Sequence, residues 1–122
     1  MSRDTVLQRR TFEPGQKLFK QGEEGNNAFV LQSGEVDIVL NADSDNEVIL
    51  ATVGPGGIIG EMALMDDNPR GATARARSGG ALIIVSRQMF EAKMKKADPF
   101  LRGLLNIMVD HVRRMTAEKS NS

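Results

Sequence analysis

Residues 28–40 read AFVLQSGEVDIVL, and this stretch decides the fold. Phe29 and Leu31 on one side of Ser33-Gly34, and Val36, Ile38 and Leu40 on the other, keep a period of two, which predicts two strands joined in a hairpin. The same texture repeats outward in both directions. Strand-like runs fall at 5–12, 17–20, 28–32, 35–40, 47–53, 72–77 and 81–86. Between them stand turn signals at 14–15 (PG), 22–25 (GEEG), 43–46 (DSDN), 55–57 (PGG) and 79–80 (GG). Many short strands punctuated by glycine describe a barrel or sandwich.

The period changes after Ser86. Ser86 is placed to cap a short amphipathic helix over 87–96, and Asp98-Pro99 is a strong start for another, because proline is favoured at the first helical position. That second helix is expected to run to about residue 118, with Leu101, Leu104, Leu105, Met108, Val112 and Met115 in one apolar stripe. The 122 residues accommodate one domain, with the barrel over about 5–86 and the C-terminal helices over about 87–118.

Composition removes whole classes of chemistry. Sixteen basic and sixteen acidic residues leave no net field toward polyanions or acidic membranes, so no nucleic-acid partner is expected. Without cysteine there is no disulfide, thiol catalysis or thiolate-held metal. A single histidine, His111, cannot build the multi-imidazole sites of metal-binding barrels, so no metal is expected. His111 itself reads as a solvated helix residue. The start, MSRDTVLQRR, lacks an apolar signal core, and no apolar run approaches the eighteen or so residues of a membrane helix. The chain is accordingly read as soluble and cytoplasmic, with no membrane partner. No serine, histidine and acid set points to catalysis, so it is not read as an enzyme.

The segment richest in chemistry is GGIIGEMALMDDNPRGATARA, residues 56–76. A singly charged phosphate held inside a barrel needs a paired cation and backbone N–H groups turned toward it. Arg70 supplies a planar donor fork, and Gly60, Ala63 and Gly71 are small enough for backbone to approach a ligand. Glu61, nine residues before Arg70, can accept a hydrogen bond from a ribose hydroxyl. On spacing alone an equally good reading is a surface salt bridge between Glu61 and Arg70. For Ala63 and Gly71, tight turn packing is the competing explanation.

The run Gly60-Glu61-Met62-Ala63-Leu64-Met65, then Asp66-Asp67-Asn68 and Pro69-Arg70-Gly71-Ala72-Thr73, resembles the phosphate-binding cassette of the cyclic nucleotide-binding domain family. That family includes the bacterial catabolite activator proteins and the regulatory subunits of protein kinase A. Upstream, Phe12, Gly15, Leu18-Phe19, Gly22, Gly25, Phe29-Val30-Leu31, Gly34 and Val36 resemble its strand and turn signature. The likeness covers about residues 10–118. It implies a mainly β fold with flanking α: an eight-stranded β jelly-roll barrel with a short phosphate-binding helix and C-terminal helices.

By this resemblance Arg70 pairs with the cyclic phosphate, Glu61 holds the ribose 2′-hydroxyl with the Gly60 amide nearby, and Met62, Ala63, Gly71, Ala72 and Thr73 bring backbone and close packing to phosphate and sugar. The residue after the arginine is threonine in many cyclic GMP readers and is Gly71 here, so cyclic AMP is favoured as ligand over cyclic GMP. Met115-Thr116-Ala117-Glu118-Lys119 resembles the base-capping run of the catabolite activators, which makes Thr116 the candidate for the adenine amino group. Met108, Val112 and Met115 read more simply as a core or dimer seam. A second departure is the amino terminus, where only residues 1–5 remain for the helix that usually precedes the first strand.

The implied function is a ligand sensor for signal transduction. By the same resemblance, binding is expected to shift residues 87–118, hinged near 97–99, and so to regulate a protein partner or a homodimer formed through the C-terminal helix. The alternatives are an interaction module that has lost its ligand, and a sensor domain excised from a larger regulator or channel. A DNA-binding regulator is disfavoured, since no reading helix follows the long helix.

Overall fold

The computed structural model describes residues 7–120, with backbone alone for residues 113 and 116–120. Eight strands run in chain order: β1 (Gln8–Phe12), β2 (Lys17–Phe19), β3 (Asn27–Ser33), β4 (Val36–Leu40), β5 (Val48–Val53), β6 (Ile58–Ile59), β7 (Thr73–Ala76) and β8 (Gly80–Ser86). A 3-10 turn over Glu61–Leu64 follows β6, and α1 (Arg87–Lys96) and α2 (Pro99–Ser120) follow β8. The strands form two four-stranded antiparallel sheets, ordered β1-β8-β3-β6 and β2-β7-β4-β5. The chain therefore passes from sheet to sheet at nearly every connection, and only β4–β5 joins hydrogen-bonded neighbours. This interleaving is the double-sheet jelly roll.

The hairpin expected across Ser33-Gly34 does not form, because β3 and β4 lie in different sheets. The alternating residues do define two strands, but the turn between them is a corner. Gly34 has φ +83°, and a Cβ there would stand 2.5 Å from the Gly79 carbonyl oxygen. Facing it, a Cβ on Gly80 would stand 2.2 Å from the Ser33 oxygen. Two backbones thus meet where neither strand could carry a side chain. Opposite Ile38 and Val39, β5 carries Leu50 as an extra, bulged residue, while β4 keeps an unbroken register with β7: Val36 is fully buried in the core and Ile38 packs against it, and Val39 is fully buried as well. Asp37 is buried as well, where it accepts from Thr52 Oγ1 at 2.7 Å and pairs with Arg77 at 3.2 Å.

Between the sheets pack Phe12, Phe19, Phe29, Leu31, Val36, Ile59, Ala74, Ala76 and Leu82. Phe19 and Phe29 stack with centroids 6.1 Å apart. Truncating such a phenylalanine to alanine costs about 3–5 kcal/mol, a large share of a small domain's stability.

The helix starts follow the sequence closely. Ser86 Oγ accepts from the Met89 amide at 3.1 Å, and Asp98 Oδ1 accepts from the Phe100 amide at 2.8 Å. The second helix reaches Ser120, two residues past its expected end. Much of its apolar surface is exposed: Phe100 is 74 % exposed and Ile107 66 %, and Leu101, Leu104, Met108 and Met115 are exposed too, while Leu105, Val109 and Val112 are half-buried. No helix among the described residues is long and apolar enough to cross a membrane. Residues 1–5, where the usual leading helix would lie, fall outside the described residues.

Candidate functional site

The segment between β6 and β7 begins with Gly60, whose φ of +73° turns the chain from strand into the 3-10 turn, a conformation glycine reaches without a Cβ penalty. Within the turn the Ala63 amide donates to the Gly60 carbonyl at 3.1 Å, and the Met62 carbonyl accepts from the Met65 and Asp66 amides at 3.0 and 3.1 Å. Ala63 and Leu64 are buried and fasten the turn to the barrel, while Glu61 and Met62 are half-buried.

Arg70 returns the chain toward β7, and both its backbone groups are clamped by the loop after β2. Its amide donates to the Glu23 carbonyl at 2.7 Å, and its carbonyl accepts from the Gly22 amide at 2.8 Å. Thr73, buried at the start of β7, reinforces the same loop by accepting from the Gln21 amide at 2.9 Å. With its backbone held, the arginine directs its side chain inward. Nη2 donates to the Asn27 carbonyl at 2.8 Å and Nη1 to the Gly60 carbonyl at 3.4 Å. The guanidinium carbon lies 4.1 Å from the centroid of the Phe19 ring, a cation–π contact.

Two glycines complete this cradle. A Cβ on Gly25 would come within 2.7 Å of Nη2, and one on Gly60 within 2.7 Å of Nη1. Burial pushes the guanidinium below its usual pKa, and the negative charge of Glu23 opposes that shift. Among the described residues no carboxylate forms an ion pair with Arg70, so the surface salt bridge with Glu61 does not exist. Arg70 Nε is buried and has no hydrogen-bond partner among the described residues. The site thus holds an arginine oriented by neutral carbonyls, with no ion-paired carboxylate among the described residues and one donor unmet, an arrangement that suits an anion.

The structure brings Gly60, Glu61, Met62, Ala63 and Arg70 into one segment, with Gly71, Ala72 and Thr73 leading from it into β7. Gly71 is exposed, and a Cβ there would meet nothing within 4 Å. The Thr116 side chain lies outside the described residues. Sequence reasoning missed the parts that position Arg70: the Phe19 ring, the Asn27 carbonyl and Gly25. The glycines at 22 and 25 were visible as a turn, but nothing local tied that turn to an arginine forty-five residues later. A cleft of about 400 Å³ lined by Glu24, Gly25, Asn26, Asp67 and Arg87 adjoins the segment, and a second of about 480 Å³ is lined by Lys17, Lys20, Gln21, Gly22, Asn41, Ala42 and Thr73. Glu61 and Arg70 line neither.

The sequence profile of the family described as cyclic nucleotide-binding domain matches residues 9–97, which hold the whole barrel core, the Arg70 cradle and α1. The chain belongs to the cyclic nucleotide-binding domain family. Among curated relatives of this family, the cyclic AMP receptor protein of Thermus thermophilus is 29 % identical over 114 residues, covering 93 % of this chain and 53 % of the relative. The type II regulatory subunit of cAMP-dependent protein kinase from Drosophila melanogaster is 32 % identical over 94 residues, covering 77 % of this chain and 23 % of the relative. The chain thus spans about half the length, or less, of these relatives.

Among solved structures, the cAMP-bound form of the EAL enzyme Bd1971 aligns with a TM-score of 0.73 at 31 % identity, covering 93 % of this chain and 30 % of that one. The cGMP-bound form of the same enzyme aligns with a TM-score of 0.74 at 32 % identity, covering 93 % and 30 %. Cyclic nucleotide-binding domains therefore occur as parts of regulators and also within an enzyme.

Proposed function

We propose that this chain is a cytoplasmic sensor module that binds cyclic AMP, is not itself catalytic, and passes the binding event to its C-terminal helices. The observation that carries this reading is Arg70: a guanidinium held in place by the Asn27 and Gly60 carbonyls and, among the described residues, without an ion-paired carboxylate and with Nε unsatisfied. Phosphate oxygens would meet both needs. Gly60, Met62, Ala63, Gly71, Ala72 and Thr73 would supply backbone and close packing, Glu61 would accept from the ribose 2′-hydroxyl, and Thr116 would meet the adenine amino group.

The relatives' names support a cyclic nucleotide, and Bd1971, solved with cAMP and with cGMP, supports both. The preference for cyclic AMP rests on Gly71, which brings no hydroxyl to a guanine edge. The bare apolar face of α2 supports a second copy of this chain as the partner, joined helix to helix, with a regulated protein as the other candidate. Regulation would follow from a shift of α1 and α2, hinged near Ala97, where the backbone leaves the helical region at ψ 152°.

Thermal unfolding with and without nucleotide tests the reading. At a hundredfold excess over Kd, cyclic AMP should add about 2.7 kcal/mol of stability, seen as a rise of several degrees in Tm. No rise with either nucleotide would favour a ligand-free interaction module.

A further inference from the structure

Arg87 is the first residue of α1, directly after the Ser86 cap, yet its side chain turns back over the phosphate-binding segment. Nε and Nη2 donate to the Ala63 carbonyl at 2.9 and 2.5 Å. Nη2 also donates to the Asp66 carbonyl, and Nη1 pairs with the Asp67 carboxylate. The Arg87 amide donates to the Asn26 carbonyl at 2.9 Å. One residue therefore joins the start of α1, the approach to β3, and the 3-10 turn with the loop behind it.

The weight of this contact lies in the carbonyls. Asp67 is 93 % exposed, so water screens the ion pair, whereas the Arg87 side chain is only 20 % exposed. α1 has no fully buried residue and packs chiefly on β8 and on the 3-10 turn. Met89, Phe90, Ala92 and Met94 of the helix are half-buried, and Arg87 adds a polar tie from its first turn to the 3-10 turn. Each carbonyl it grips shares a rigid plane with the next amide, so pinning Ala63 and Asp66 also aims the N–H groups of Leu64 and Asp67.

The geometry points to Arg87 as a positioning residue that ties the phosphate-binding segment to α1, making ligand binding at that segment and docking of α1 one coupled equilibrium. The coupling rests on the ligand reading of the site given above, and it is reciprocal: a docked α1 raises affinity, and ligand raises docking. A fork that reaches two carbonyls and a carboxylate together is a task for arginine, and lysine offers a single point donor.

The chain has no cysteine, so spin labels at Asn68→Cys and Lys95→Cys, both exposed positions, report the distance from the segment to α1 without background. In ligand-free protein the distance distribution should be narrow with Arg87, broad in Arg87→Ala and intermediate in Arg87→Lys. Cyclic AMP should shift the distribution when Arg87 is present, leave it unshifted in Arg87→Ala, and bind that variant about 5–150-fold more weakly. A merely structural role would lower Tm yet preserve the ligand-induced shift.

A folded Arg87→Ala protein with a narrow ligand-free distribution, a normal shift and a Kd within twofold of wild type overturns the proposal. If Arg87→Ala does not fold, wild-type values of all three in Arg87→Lys overturn it. If the wild-type chain takes up no cyclic AMP, the sensor reading fails, and the ligand-free distances still decide whether Arg87 ties α1 down.

Discussion

The Asn27 carbonyl accepts a hydrogen bond from Arg70 Nη2 at 2.8 Å, so the cation of the site is anchored to the first residue of β3 and not to an acid. Neutral acceptors fix the direction of a guanidinium while leaving its charge in place. A carboxylate in the same position would compete with any phosphate.

The glycines beside Arg70 separate positioning from folding. In Gly25→Ala the new Cβ would press on Nη2 and Nε, at 2.7 and 3.0 Å, and these atoms end a flexible side chain. The guanidinium should swing aside while the loop stays, leaving Tm near wild type and weakening cyclic AMP binding about tenfold or more, the loss of one charged hydrogen bond. Gly60→Ala adds a left-handed backbone penalty of about 1–2 kcal/mol, so here Tm should fall as well. Paired melts and titrations check both, and wild-type affinity in Gly25→Ala would contradict the cradle.

Position 71 should tune the base. Gly71 is exposed and a Cβ there meets nothing within 4 Å, so the first carbon of a threonine side chain has open space. Gly71→Thr should raise affinity for cyclic GMP relative to cyclic AMP by about tenfold, one hydrogen bond's worth, at unchanged Tm. Competition binding measures the ratio, and an unaltered ratio would place base selection elsewhere.

Acid should loosen the β4–β5 hairpin. Arg75 grips Glu47 with two bonds of 2.7 and 3.0 Å, and this hydrogen bonding lowers the Glu47 pKa from 4.5 to about 2. Lys17 likewise holds Asp43 below its usual value. A depressed folded-state pKa stabilises fully above the unfolded value and is lost as pH falls through the folded one. Stability should therefore decline from about pH 4.5 toward pH 2, and Glu47→Gln should flatten that slope. Urea titrations at stepped pH provide the measurement, and an equal slope in the variant would contradict it.

The uncovered face of α2 predicts an oligomer. Leu104 and Met108 are exposed one turn apart. Leu104→Glu with Met108→Glu should convert a dimer to a monomer in sedimentation velocity while the barrel's Tm stays near wild type. A monomeric wild-type chain would remove the homodimer from the account.

The strands were legible where period and glycine turns agreed, as at 17–20 and 81–86, and so were both helix starts, because Ser86 and Asp98 act within three residues of themselves. β6 was not legible. Two residues, Ile58 and Ile59, show no period and become a strand only by pairing with Val30 and Phe29. The corner at Ser33-Gly34 looked like a hairpin because local alternation says nothing about which sheet a strand joins. At the site, Glu61 and Arg70 were visible from the resemblance, whereas the Phe19 platform, the Gly25 contact and the Arg87 tie come from residues distant in sequence and leave no local mark.

The most direct test of the account is isothermal titration of cyclic AMP and cyclic GMP into the wild-type chain and into Arg70→Ala. The account predicts saturable cyclic AMP binding tighter than cyclic GMP, weakened at least a hundredfold in Arg70→Ala, the loss of about two charge-assisted hydrogen bonds. Equal affinity of wild type and Arg70→Ala for cyclic AMP, or no heat from either nucleotide with the wild-type chain, would contradict it.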